Sequence, residues 1–447
     1  MMTKLFGTDG VRGRAGTPPL DQRTIRRLGA ALVRALPRSS SAPRLLVGRD
    51  TRESGEGIER DLAHGARSAG ASVLSAGVIP TPAIAFLTRD QGFAAGLVIS
   101  ASHNPFEDNG IKVFSGAGEK FTEALEAEVE AIVADTSWDE PGGAPDAVPF
   151  IDETDAYLAH ARTAMAGLFP SHARRLAIDC ANGATCQVAP LVLERLGFEV
   201  TAIGCRPDGR NINLDCGSTH PETLAALVVE RGCDLGIAFD GDGDRAIFVD
   251  ASGRIVDGDA VLYLCAKQMQ AAGRLRGSAI VATVMSNIGL EIGLRDLGIG
   301  LVRCPVGDKY VMEELLRDNL SIGGEQSGHV IFPDLLYTGD GLVTALNVLR
   351  VMAETGRGLA ELGGELQTFP QVLVNQRVRE KRDWTLIPPI AAAAAAVERK
   401  LAGRGRLLIR YSGTEPLLRV MIEGEHQAQI TAWAEDIAAA VRAEIGQ

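Results

Sequence analysis

Leu235-Gly236-Ile237-Ala238-Phe239-Asp240-Gly241-Asp242-Gly243-Asp244-Arg245 joins an apolar run to three carboxylates at alternate positions. The run has the length and composition of a buried strand, and the loop leaves its end directly. Upstream, Gly96-Leu97-Val98-Ile99 leads into Ser100-Ala101-Ser102-His103-Asn104-Pro105. Downstream, Leu320-Ser321-Ile322 leads into Gly323-Gly324-Glu325-Gln326-Ser327-Gly328-His329. Each time a short strand pattern delivers a polar loop.

Working outward, each loop closes a segment holding two earlier strand patterns and two helical stretches. The first segment has strands at 44–48 and 72–76 with helices near 56–69 and 82–89. The second has strands at 176–178 and 200–203 with helices near 188–196 and 221–231. The third has strands at 279–282 and 300–302 with helices near 289–297 and 310–317. Strands alternating with helices predict parallel βαβ units, whose ligand loops sit at the carboxyl ends of the strands. Linker composition near 135–149 and at Gly363, Gly364 and Pro370 separates the segments. Beyond Pro370 the pattern changes to strands around 372–378 and 407–409, an Ala-rich helix after Pro388-Pro389 and an amphipathic helix near 430–445. The fold class is therefore α/β: three consecutive mixed or parallel βαβ-type domains (1–150, 151–254, 255–368) and a smaller C-terminal α+β domain (369–447).

Composition agrees. The chain has 447 residues, 46% of them hydrophobic but only 5% aromatic, as suits Ala-, Val-, Leu- and Ile-rich strands under helices. A net charge of -12 argues against a nucleic-acid or anionic-membrane surface, while leaving room for a small basic pocket. No apolar run is long enough to span a bilayer, and Met1-Met2-Thr3-Lys4 begins no signal-peptide core, so a cytoplasmic location is expected. Seven cysteines without paired CxxC spacing read as reduced thiols; a reactive role for Cys216, in a polar loop, is the alternative, and a core or structural role is the better reading for cysteines without an activating motif.

The loops carry the chemistry. Ser102, between a strand and a proline-restricted turn, is expected on an exposed loop as a hydroxyl nucleophile; an ordinary Ser/Asn turn would look the same locally. Lys112 is placed to neutralise a phosphate, or to act as acid or base if its surroundings lower its pKa. Asp240, Asp242 and Asp244, curled by Gly241 and Gly243, form an oxygen-only set suited to Mg²⁺. An EF-hand is excluded, since it needs glycine where Arg245 stands and glutamate where Ala251 stands. Glu325, Ser327 and His329 offer an acceptor, a hydroxyl and a ring donor for sugar hydroxyls. Arg410-Tyr411-Ser412-Gly413-Thr414-Glu415-Pro416, with Arg419, combines guanidinium, hydroxyl and glycine-assisted backbone donors for a phosphate dianion. No Walker A or GxGxxG string is present, which argues against a kinase or a dinucleotide enzyme.

Together with Gly7-Thr8-Asp9-Gly10-Val11-Arg12-Gly13, these four ordered strings resemble the α-D-phosphohexomutase family along essentially the whole chain. The resemblance implies four domains around a central cleft, with Ser102 as the phosphoserine and as a metal contact beside Asp240, Asp242 and Asp244. It implies that Arg12, Lys112 and Arg245 serve the transferring phosphate, that His103, Lys309, Glu325, Ser327 and His329 contact substrate, and that Arg410, Ser412, Gly413, Thr414 and Arg419 grip the other phosphate. Gln326, Asn211-Ile212-Asn213, Cys216-Gly217-Ser218-Thr219-His220 and Gly307-Asp308-Lys309-Tyr310 resemble the glucosamine branch rather than the glucose or mannose branches.

The implied reaction interconverts glucosamine 6-phosphate and glucosamine 1-phosphate, with Mg²⁺ as cofactor and glucosamine or glucose 1,6-bisphosphate as priming intermediate. It would supply amino-sugar nucleotide and cell-wall precursor synthesis. Hexosamine phosphates are the expected partners, without nucleic acid or membrane insertion; a phosphoryl donor must first charge Ser102, and a homodimer is left open. Glucose or mannose phosphates are the alternative substrates. A phosphoserine hydrolase would release inorganic phosphate instead, and a sugar-phosphate sensor would bind without turnover.

Overall fold

A computed structural model describes residues 4–7, 9–37, 42–139, 142–165, 167–169, 174–412 and 415–447. Its first sheet has six strands, in the order Phe6–Gly7, Gly10–Arg14, Asp108–Ser115, Ala95–Ile99, Arg44–Arg49, Ser72–Val78. The second has five: Ile255–Val256, Ala246–Asp250, Leu235–Phe239, Arg175–Asp179, Glu199–Ile203. The third has four: Gly300–Cys304, Ala279–Thr283, Gly323–Gly324, Val330–Ile331. The last is antiparallel, with Leu417–Gly424 between Gln371–Arg377 and Gly405–Tyr411. Three mixed sheets and a smaller α+β sheet are the architecture expected from the sequence.

Within each mixed sheet the βαβ crossovers are parallel, and the last parallel strand then turns back on itself. Ala95–Ile99 pairs antiparallel with Asp108–Ser115, Leu235–Phe239 with Ala246–Asp250, and Gly323–Gly324 with Val330–Ile331. Each functional loop is thus the connection of a hairpin, a feature the sequence reading lacked. One strand expectation is corrected: the third-sheet ladder falls on Gly323–Gly324, not on 320–322, because Val281 and Ala282 pair with the two glycines.

The helices are fixed by ordinary means. Asp21 caps Gln22–Ala35 by accepting from Thr24 N–H at 3.1 Å, and Leu28 and Leu32 of that helix join Leu62 and Ala66 of Gly55–Ser68 in the core of the first sheet. Asp340 caps Gly341–Thr355 through Val343 N–H at 2.9 Å and also accepts from the buried Tyr157 hydroxyl, at 3.1 Å to each oxygen.

The chain forms two compact units. Met1–Met285 with Ile299–Glu365 holds the three mixed sheets, and Ser286–Gly298 with Leu366–Gln447 holds the antiparallel sheet. In the second unit, Ile390, Val397, Ile437 and Val441 cover one sheet face, meeting Val420 and Ile422. Among the described residues no helix is long and apolar enough to cross a membrane.

Candidate active site

Ser102 lies three residues beyond the end of Ala95–Ile99, with φ of 52°, in the left-handed region that a non-glycine residue enters at a cost of about 1 kcal/mol or more. Surrounding bonds hold it there. Arg52, whose side chain is fully buried, gives four of its five N–H donors to this loop, Nη2 to the Ser102 and Asn104 carbonyls at 3.0 and 2.9 Å and Nη1 to Asp108 O at 2.9 Å and to Pro105 O, and the fifth, Nε, to Asp50 at 2.9 Å. Asn213 Nδ2 donates to the same Ser102 and Asn104 carbonyls at 2.9 and 3.1 Å. Ser100 Oγ bonds Asp50 at 2.6 Å and accepts from Ser102 N–H at 2.9 Å. The expected exposed hydroxyl is not found: Ser102 is 1% exposed, and its Oγ donates to Asp240 Oδ2 at 2.6 Å. The correction follows from packing, since the second-sheet loop closes directly over the first.

Gly241 makes that approach possible. A Cβ there would stand 2.6 Å from Ser102 O and 2.7 Å from Asn213 Nδ2, and one at Gly243 (φ 73°) would stand 2.6 Å from Thr185 Cγ2. With both glycines in place, one carboxylate oxygen from each of Asp240, Asp242 and Asp244 lies within 4.8 Å of the others, all buried. Asp242 Oδ2 accepts from Lys112 Nζ at 2.8 Å and from Thr81 Oγ1 at 2.5 Å, and Asp244 Oδ2 accepts from Lys112 at 3.2 Å. Asp242 Oδ1 is buried without a hydrogen bond, and Asp244 Oδ1 meets His329 Nδ1 at 3.5 Å and Arg245 Nε at 3.8 Å. An oxygen orphaned like Asp242 Oδ1 is costly in a protein interior unless a cation takes it. The residues therefore fit a hard divalent cation with oxygen ligands.

The electrostatics agree. Burial and the flanking carboxylates of Asp244 and Asp242 push Asp240 well above the ordinary carboxylate range. Burial would raise Asp244 too, but Lys112 and His329 bring it well below. Lys112 is itself buried, which opposes its charge, yet Asp242, Asp9 and Asp244 hold it firmly protonated. The surroundings thus raise its pKa, and the alternative of a lysine tuned downward to act as a base is corrected. Asp9 Oδ2 meets Lys112 Nζ at 3.1 Å and pairs with Arg12, while Asp9 Oδ1 and Asp308 each lie 2.5 Å from Lys120 Nζ. This network of alternating charge was not read from the sequence, although Asp9 stands inside the quoted glycine-bearing string.

A cavity of about 580 Å³ opens beside these groups, lined by Asp9, Arg12, His103, Asp244, Arg245, Glu325 and His329 among others. Burial, then Arg245 and Arg12, lower His103 to a pKa of about 4, so its ring is neutral near pH 7, with Nδ1 3.4 Å from Ser102 Oγ. Glu325 accepts from Gly307 N–H at 3.1 Å and from Ser327 Oγ at 3.3 Å, which brings the third loop to the same cavity. Gly339 N–H donates to His329 Nε2 at 3.1 Å, leaving Nδ1 to face Asp244 Oδ1 at 3.5 Å. Burial opposes a charge on His329, while Asp244 favours one strongly enough to raise its pKa. Lys309 pairs instead with Glu123 and lines a neighbouring groove rather than this cavity.

In the second unit the register sets Arg410 directly opposite Arg419 on adjacent strands. Like charges so placed repel, and the Glu415 carboxylate, 3.4 Å from Arg419 Nη2, partly offsets them. Arg419 Nη2 lies 3.4 Å from Ser412 Oγ, its Nε is buried without a partner, and Lys381 Nζ donates to Ser412 O at 2.7 Å. Gly413 and Thr414 lie outside the described residues. The supporting residues missed by sequence reasoning are Arg52, Asp50, Thr81, Lys120 and Lys381. Asp50 and Arg52 had a positional signal, since they follow the strand Arg44–Arg49 at its carboxyl end.

Sequence profiles of the phosphoglucomutase/phosphomannomutase family match nearly the entire chain: alpha/beta/alpha domain I over residues 3–140, domain II over 155–253, domain III over 257–369 and the C-terminal domain over 373–440. The chain is 47% identical to a phosphoglucosamine mutase of Desulfovibrio desulfuricans, and 46% identical to one of Syntrophotalea carbinolica, over 100% of this chain and 100% and 99% of those proteins. A crystal structure of a phosphoglucomutase/phosphomannomutase family protein from Burkholderia thailandensis superposes with a TM-score of 0.81 at 25% identity, covering 100% of both chains. With the serine loop, the aspartate loop and the sugar-type loop meeting in one unit, the chain belongs to the phosphoglucomutase/phosphomannomutase, or α-D-phosphohexomutase, family, among its phosphoglucosamine mutases.

Proposed function

We propose that this isomerase interconverts glucosamine 6-phosphate and glucosamine 1-phosphate through a phosphoryl group carried on Ser102. The observation that carries the mechanism is Ser102 Oγ at 2.6 Å from Asp240, beside the buried, unbonded Oδ1 of Asp242 and the buried carboxylate of Asp244. The choice of glucosamine is supported by the names of the full-length relatives.

Ser102 donates its phosphoryl group to O1 of glucosamine 6-phosphate: the bond from phosphorus to serine oxygen breaks as the bond to the sugar oxygen forms, giving the 1,6-bisphosphate. The sugar turns over, and its 6-phosphoryl group returns to Ser102, leaving glucosamine 1-phosphate. Mg²⁺, held by Asp240, Asp242, Asp244 and the Ser102 phosphoryl oxygen, would supply charge stabilisation on the transferring group. Lys112, Arg12 and Arg245 bring positive charge to the same group, and His103 lies against the serine. Glu325, Ser327, His329 and Lys309 are assigned to substrate, and Arg410, Ser412, Gly413, Thr414 and Arg419 to the phosphate that is not reacting.

Glucosamine or glucose 1,6-bisphosphate primes the cycle, a separate phosphoryl donor first charges Ser102, and the reading places the enzyme in the cytoplasm, feeding amino-sugar nucleotide synthesis. The four domains would divide at residues 150, 254 and 368. Side-by-side assays of the phosphorylated protein with Mg²⁺ on glucosamine, glucose and mannose 6-phosphates test the substrate. Glucosamine should give the highest kcat/KM; a preference for mannose or glucose, or release of inorganic phosphate, would reject this choice.

A further inference from the structure

One lysine ammonium joins two carboxylates of the cavity wall that come from distant parts of the chain. After the strand Asp108–Ser115, which carries Lys112, a short turn folds back: Ser115 N–H donates to Glu119 O at 2.7 Å, Phe121 N–H donates to Val113 O at 3.1 Å, and Lys120 bridges antiparallel to Phe114. Phe114 and Phe121 are buried on either side of that bridge, which fixes the backbone from which Lys120 extends. Its Nζ lies 2.5 Å from Asp9 Oδ1 and 2.5 Å from Asp308 Oδ2. Burial opposes the charge, yet Asp308 and Asp9 hold Lys120 protonated.

Each carboxylate leads on to a different working group. Asp9 Oδ2 meets Lys112 Nζ at 3.1 Å and pairs with Arg12, two of the cations assigned to the transferring phosphate. Asp308 opens the helix Asp308–Arg317 directly after Gly307, whose N–H donates at 3.1 Å to Glu325, the carboxylate assigned to the sugar. His329 Nε2 stands farther from Asp308, at 3.6 Å. Asp9, Arg12, Asp308 and Glu325 line the cavity, whereas Lys120 does not. Because Asp9 and Asp308 both reach the same Nζ, they would repel one another at close range without its charge.

We propose that Lys120 is a positioning residue of the mutase reaction, a single ammonium that sets the spacing between the phosphate-binding cations, through Asp9, and the sugar-binding carboxylate, through Asp308. The role rests on the mutase reading. A bisphosphate that presents each phosphate in turn to Ser102 must meet the same spacing in both orientations, so one fixed link between the two loops serves both half-reactions. Without the ammonium, Asp9 Oδ1 is released toward Arg12 and Lys112 and draws off part of their charge. The repulsion between Asp9 and Asp308 then parts the loops, and Glu325 moves with Gly307.

The test measures kcat and KM separately for glucosamine 6-phosphate on the full-length phosphorylated protein with Mg²⁺, alongside a melting curve. Lys120→Met keeps the apolar stem and removes the charge. It should lower kcat about tenfold and raise KM about tenfold, about a hundredfold together in kcat/KM. Lys120→Arg, which keeps the charge and can span two carboxylates, should recover most of that loss. The double variant K120M/D308N should be no worse than K120M, because neutralising Asp308 removes the repulsion. A folded K120M with wild-type kcat and KM, a change confined to one of the two constants, K120R no better than K120M, or additive losses in the double variant would overturn the proposal. Should K120M not fold, the charge-balanced double variant decides, and wild-type constants there would overturn it. A wild-type protein that turns over no hexose or hexosamine phosphate rejects the mutase reading itself, whereas failure of the Lys120 role leaves an active wild type.

Discussion

Asp242 divides its work between its two oxygens. Oδ2 is committed to Lys112 and Thr81, and Oδ1 is left free in a buried site. Asp242→Asn keeps the shape and removes the charge, so affinity for Mg²⁺ should fall about tenfold or more while the fold persists. Calorimetric titration with Mg²⁺, together with the metal dependence of turnover, checks this; unchanged binding would remove Asp242 from the ligand set. Arg52 presents the complementary case of a cation that does not line the cavity yet uses four of its five donors to hold the nucleophile's loop. Lysine has three donors and no planar fork. Arg52→Lys should therefore cut kcat by about a hundredfold with little change in KM, because it misplaces Ser102 without touching substrate. Steady-state kinetics and a melting curve on the same preparation separate that outcome from simple unfolding. The sequence displayed Ser102 and the three aspartates openly, since their loops are short and chemically distinctive. It concealed Arg52, Thr81 and Lys120, whose roles depend on partners 50, 161 and 111 residues away.

At the level of elements, the strand-then-loop pattern located the parallel strands almost to the residue, most clearly Ala95–Ile99 and Leu235–Phe239, which are buried throughout and read as continuous apolar runs. The return strands were not legible. Asp108–Ser115 begins with Asp-Asn-Gly, and Val330–Ile331 is two residues long, so neither carries a period of its own. Gly323–Gly324 was displaced from the expected 320–322 for a similar reason: its pairing is set by its neighbour Ala279–Thr283 rather than by its own side chains. In the second unit the pairing of Gly405–Tyr411 with Leu417–Gly424 puts Arg410 across from Arg419, an arrangement a phosphate dianion would stabilise. Arg410→Ala should raise KM for both glucosamine monophosphates roughly ten- to hundredfold, the range given by losing a charged hydrogen bond of about 1.5–3 kcal/mol. It should also release free bisphosphate and make turnover depend on added glucosamine 1,6-bisphosphate. Kinetics across bisphosphate concentrations, with the free intermediate quantified, test this; unchanged KM and no released intermediate would contradict it.

Across the whole molecule, a net charge of -12 coexists with a cavity whose walls set Arg12 and Arg245 among the carboxylates of Asp9, Asp244, Asp308 and Glu325. Serine, metal and sugar loops all belong to the first compact unit, and the Arg410–Arg419 pair belongs to the second. The central claim is that Ser102 carries the phosphoryl group that moves. Protein radiolabelled on the Ser102 phosphate, mixed with Mg²⁺ and excess glucosamine 6-phosphate in a single turnover, tests it most directly. The label should leave the protein and appear in glucosamine 1,6-bisphosphate and then in the monophosphates, while folded Ser102→Ala takes up no label and shows no turnover. Label remaining on the protein, label released as inorganic phosphate, or a Ser102→Ala protein turning over near the wild-type rate would contradict the account.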